Sequence, residues 1–320
     1  MATMNMVQAL NLALREAMER DKDVVILGED VGKDGGVFRV TEGLYGRFGA
    51  ERVVDTPLAE TGIVGAAIGM AAYGLKPVVE IQFMGFIYSA IDQIFSHAAR
   101  IRARSRGRFT ASLVIRTPYG GGVKALEHHS ESTEAIFCQM PGVKVVVPSS
   151  PRIAKGLLHS AIRDPDPVIF LEPTRLYRMT KEDVPEIDYT VPIGKARVVR
   201  EGKDVTVIAW GSMLQRTMQS IEGINADVID LMTLSPFDED TVLQSVKKTG
   251  RVVIVQEAPS NCGLGAEISA TIAELAMLYL KAPILRVTSY DVVLPLPKLE
   301  DSYLPNVTRI RKAVESTLQY

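Results

Sequence analysis

A chain of 320 residues, 47% hydrophobic and 23% charged, has room for two globular domains with filled cores. Its formal net charge of −2 gives no general pull toward nucleic acid or anionic membrane, and its two cysteines, Cys138 and Cys262, lack the CxxC spacing of a zinc or disulfide framework. No signal-peptide pattern opens the chain, and the most apolar stretch, 62–73, is too short and glycine-rich to span a bilayer, so a soluble cytoplasmic protein is expected.

Val7, Leu10, Leu14, Ala17 and Met18 share one face of a first helix. Asp23–Gly28 reads as a buried strand, and a loop with Gly32, Gly35 and Gly36 follows. Thr61–Ala72 is a helix of small residues, Pro77–Gln82 the next strand, and Ile87, Ile91, Ile94, Ala98 and Ile101 mark one long helix. The alternating Arg100, Arg102, Arg104, Arg106 and Arg108 suit a solvated helix end or a partner contact. Strands over Ser112–Thr117, Val143–Pro148 and Val168–Leu171 alternate with a helix over Arg152–Arg163, the pattern of a parallel sheet covered on both faces. Residues 179–191, charged and broken by Pro185, read as a linker. Strands then recur at Val205–Ala209, Val228–Leu231 and Val252–Val255, with helices over Ala266–Leu280 and Thr308–Leu318. The expected fold is α/β, with two doubly wound domains at 1–178 and 192–320.

Glu60 opens the small-residue helix, where free amides and the helix dipole favour a carboxylate, so periodicity alone allows an ordinary first-turn acid. Phe83 and Phe86 follow a strand, where aromatic residues usually pack in the core. His128 and His129 are adjacent, and neighbouring side chains seldom share a face for metal binding. The string Leu158–Pro173 ends a helix and starts a strand, and a helix C-terminus closed by two prolines explains it.

The string Asp55–Gly69 resembles the pyrimidine-binding domain of thiamine-diphosphate enzymes, and most closely that of 2-oxo acid dehydrogenase β subunits. The resemblance extends from Asn5 to the Val287–Leu296 segment and implies a C-terminal domain like that of transketolase. It implies that Glu60 hydrogen-bonds N1′ of the cofactor's aminopyrimidine and promotes the imino tautomer that deprotonates thiazolium C2. A carboxyl buried against that ring would have a raised pKa, unlike an exposed capping acid. Phe86 would stack on the pyrimidine, and Phe83 would pack. His129 with Ser130, on a flexible glycine-rich loop that orders on substrate binding, would handle the 2-oxo acid and acyl transfer to a lipoyl arm. Glu29 would lie at a subunit interface near the cofactor.

The same resemblance implies a potassium ion held by Leu113, Ala161, Ile162, Asp164 and Asp166, through carbonyls and an acidic side chain. Many relatives have Asn at the last position. No Gly-Asp-Gly occurs in the chain, so the diphosphate and Mg²⁺ would be held by an E1 α subunit in an α2β2 heterotetramer. An E2 lipoyl acyltransferase would receive the acyl group. Phe170–Pro173 and Leu176–Arg178 resemble branched-chain enzymes somewhat more than pyruvate ones. Acetoin dehydrogenase β subunits carry nearly the same motifs and are the alternative within the class. A nicotinamide oxidoreductase would need a glycine fingerprint after the first strand, which Leu27–Gly32 does not supply. A subunit serving assembly alone would have no need of Glu60, Phe86 and His129, and all three are present.

Overall fold

The computed structural model describes residues 1–320. Its strands, in chain order, are β1 (Ala2–Met4), β2 (Val24–Gly28), β3 (Val53–Asp55), β4 (Lys76–Glu80), β5 (Val114–Tyr119), β6 (Lys144–Val146) and β7 (Val168–Pro173). They continue as β8 (Glu182–Val184), β9 (Arg197–Arg200), β10 (Val205–Ala209), β11 (Ala226–Asp230), β12 (Thr233–Ser235), β13 (Val252–Pro259) and β14 (Leu285–Ser289). Buried Val and Ile dominate the central strands because helices cover both faces.

The first sheet has the order β12-β6-β7-β5-β4-β2-β3 and the second β14-β13-β10-β11-β9. Each is parallel except at one edge, where β12 and β9 run antiparallel. Strand β12 therefore comes from the later part of the chain to complete the earlier sheet, pairing Thr233 with Val146. A continuous apolar core joins Val79 and Ile115 to Trp210 and Ile254 across the two sheets.

The segment read as a linker is partly ordered by pairing. Its strand β8 runs antiparallel to β1, matching Ala2 with Val184. Buried Lys155 reaches the same segment, donating to the carbonyl of Pro185 at 2.6 Å and to Glu16 at 2.9 Å. The first helix, Met6–Arg20, starts from a capping box in which Asn5 and Gln8 exchange hydrogen bonds at 3.0 Å.

The long helix expected over 87–101 is instead three short pieces. A 3-10 turn spans Met84–Ala90, a π-helix Gln93–Ala98 and one α-turn Ile101–Arg104. The second residue of the 3-10 turn is Gly85, where a Cβ would lie 2.5 Å from the carbonyl oxygen of His128. Apolar spacing of three and four is shared by all these helical forms, so it did not separate them. No helix is long and apolar enough to cross a membrane.

Candidate functional site

Parallel strands deliver their functional residues at their C-terminal ends, and β2, β4 and β5 do so side by side. Glu29 follows β2, the loop bearing Phe83 and Phe86 follows β4, and the loop bearing His129 follows β5. Helix Glu60–Ala72 adds its first residue to the same end. Gly62, Ala66 and Gly69 leave one face of that helix exposed.

Ser89 links two of these elements. Its hydroxyl is 3.3 Å from a carboxylate oxygen of Glu60 and 3.1 Å from the carbonyl of Phe86. Glu60 is 9% exposed, so its carboxylate sits within the fold rather than on a solvated first turn. Glu29 lies close to it. Burial first, then the charges of Glu60 and Asp30, push the Glu29 carboxyl above its ordinary value.

Phe86 meets both histidines, with ring centroids 5.6 Å from His128 and 5.3 Å from His129. Phe83 packs on His129 at 4.3 Å, on Phe86 at 5.6 Å and on Phe38 at 5.7 Å. Half-buried His129 is thus held by aromatic edges, whereas His128 is exposed. The Nδ1 of His129 and the hydroxyl of Ser130 are buried with no partner in the chain. Such groups are costly to leave unpaired, which fits a site completed by a bound molecule or another chain.

The histidine loop is tied to neighbouring residues by hydrogen bonds. Glu131 accepts a hydrogen bond from Tyr88, and its carbonyl accepts from the Gly120 amide at 2.9 Å. The larger cavities lie elsewhere, one of 510 Å³ beside Arg39 and the N-terminal segment and one of 570 Å³ beside Gly65 and Arg104. Glu60, Phe86 and His129 line neither.

Beneath the site, strand neighbours Glu80 and Arg116 form a buried ion pair. Glu172 holds the same guanidinium through two bonds of 2.7 Å and accepts from Tyr177 at 2.5 Å. Segments 170–173 and 176–177 are therefore interior packing and ion pairing.

Residues 161–166 and Leu113 also come together. The carbonyl of Leu113 accepts from Val168 at 3.0 Å, and that of Asp164 from Ser112 at 2.8 Å. The Asp164 carboxylate is gripped by Lys144 with both oxygens at 2.7 Å, and Asp166 faces Arg102 at 3.1 Å. The chain's own cations thus serve both acids, leaving carbonyl oxygens as the ligands available to an ion.

Family models match almost the whole chain. The transketolase pyrimidine-binding domain matches residues 2–180, and the transketolase C-terminal domain matches 194–310. The chain is 50% identical over 315 residues to the pyruvate dehydrogenase E1 component subunit beta of Acholeplasma laidlawii, covering 97% of this chain and 96% of that one. It is likewise 50% identical over 325 residues to the subunit of that name from Staphylococcus epidermidis, with 100% of each chain covered. The chain belongs to the 2-oxo acid dehydrogenase E1 β family.

A solved split-gene transketolase, described as an inactive β4 tetramer, superposes on this E1 β chain with a TM-score of 0.81. It is 23% identical over 99% of both chains, a likeness of fold. Sequence reasoning about the E1 β site overlooked Ser89 and the Glu80–Arg116–Glu172 network. Ser89 sits in no motif, and the network emerges only once β4, β5 and β7 are adjacent.

Proposed function

We propose that this E1 β chain supplies the pyrimidine side of a thiamine-diphosphate site whose diphosphate side belongs to an α subunit, and that the assembly decarboxylates pyruvate. The observation that carries the reading is the link from Glu60 through Ser89 to Phe86 and on to His129, on a chain without Gly-Asp-Gly. Pyruvate follows from the names of the relatives.

When bound, the cofactor would supply the carbanion chemistry. Glu60 would hold a proton shared with N1′ of the aminopyrimidine. Phe86 would offer that ring an apolar face, and Glu29 would keep a second carboxyl beside Glu60. His129, with Nδ1 unpaired, would orient the substrate carboxylate or move a proton during transfer to the lipoyl group of E2. The α2β2 assembly, E2 contact through the C-terminal domain and a cytoplasmic location belong to the same reading. So does a potassium ion on the carbonyls of Leu113, Ala161, Ile162, Asp164 and Asp166.

Reconstitution tests it. The purified chain with thiamine diphosphate and Mg²⁺ should decarboxylate nothing, and adding the cognate α subunit should produce pyruvate turnover. Robust turnover by the chain alone overturns the split site. Preference for acetoin or branched-chain oxo acids, assayed side by side, overturns the substrate.

A further inference from the structure

The loop that carries His129 leaves β5 through three consecutive glycines, and Glu257 and Leu304 of the second domain, with Arg175 of the first, line the socket they enter. A Cβ on Gly120 would lie 2.4 Å from Glu257 Oε1, and one on Gly121 3.1 Å from Leu304. On Gly122 it would lie 2.6 Å from Arg175. Gly120 and Gly122 also have φ of +76° and +129°, where side chains are disfavoured. Gly120 and Gly121 therefore permit close approach of backbone to the other domain, and Gly122 permits it to Arg175.

At the centre of the socket is Glu257, 3% exposed, on β13. Its carboxylate accepts from the Gly121 amide at 2.6 Å and from the Ser212 hydroxyl at 2.6 Å. Its backbone carbonyl accepts from Ser289 at 2.5 Å. On the other side of the turn, Thr174 donates to the Gly120 carbonyl at 2.8 Å. Hydrogen bonds to a buried carboxylate are among the stronger ones in a protein. A triple-glycine turn regains much backbone entropy when released.

We propose that Glu257 is a positioning residue, a carboxylate of the C-terminal domain that fixes the base of the histidine loop and so sets His129 against Phe83 and Phe86. This rests on the reading of His129 as a functional residue. Substrate handling on one domain would then depend on a buried acid of the other.

The test uses the assembled α–β enzyme with Glu257→Ala, Glu257→Gln and His129→Ala. Amide hydrogen exchange over 119–131 is measured beside lipoyl acylation, with kcat and KM separated. Glu257→Ala should raise exchange over 120–131 about tenfold or more, with β10 and β13 little changed. Its kcat for acylation should fall toward that of His129→Ala. Glu257→Gln keeps an acceptor for Gly121 and should recover most of both. Should Glu257→Ala fail to assemble, Ser212→Ala removes one of the two bonds and should shift exchange in the same direction by less.

Unchanged loop exchange in Glu257→Ala overturns the proposal, as does equal behaviour of the Ala and Gln variants. Full turnover with a loosened loop, while His129→Ala is inactive, overturns it too. If His129→Ala turns over normally, the reading of the histidine fails instead. Loop exchange then decides by itself whether Glu257 positions the turn.

Discussion

Arg116→Met should unfold the first domain at a markedly lower temperature. Arg116 is 1% exposed, and its guanidinium serves two buried carboxylates, Glu80 and Glu172. Methionine fills similar volume but leaves both acids without their cation. Breaking a buried ion pair in this way costs about 3–5 kcal/mol. In a domain of this size each kcal/mol moves the midpoint about 2–4 °C, so the expected fall is roughly 6–20 °C.

The pH dependence gives a second handle. Burial already raises the Glu80 carboxyl, and Arg116 is the main influence lowering it. With a folded value above the unfolded one, the folded state binds more protons, and its stability falls as pH rises through the folded value. Removing Arg116 widens that gap. The deficit should thus be largest near pH 8 and shrink as pH falls toward the ordinary glutamate range of about 4–5. Scanning calorimetry of parent and variant at several pH values makes the comparison. A midpoint within about 2 °C of the parent near pH 8, where the fall should be greatest, refutes the argument, and so does a deficit that grows in acid.

Glu60→Gln should preserve assembly with α and lower decarboxylation by about 10²–10⁴, measured with an artificial electron acceptor; near-normal turnover would make Glu60 a first-turn acid. Replacing potassium by tetramethylammonium should lower the melting temperature of the assembled enzyme, because an ion bound only to the folded form stabilises it by mass action. Identical melting of the parent in both salts would reject the ion.

The elements best read from sequence are those whose burial follows one period over many residues, such as helix Met6–Arg20 and strand β10. Glu60 was legible as the first residue of a helix, and the family string then gave it a chemical role. Strands β3 and β12 have three residues each, too few for any period to show. Strand β8 was hidden among charges because its order comes from pairing with β1. The piecewise 84–104 segment kept helical spacing while changing its hydrogen bonding, so hydrophobic periodicity merged its parts. Glu257 and its partner Gly121 lie 136 residues apart. Such a pairing leaves no local trace in the sequence.

The antiparallel edge strand β12 has a bearing on synthesis. As the chain leaves the ribosome, β2 to β7 are all available before Thr233 has been made. Until then β6 presents an open edge, with the Val147 amide awaiting the Met232 carbonyl it later meets at 2.8 Å. An open edge is a template for pairing with the wrong strand. A nascent chain stalled between β8 and β12 keeps that template open, and the arrival of three residues closes it.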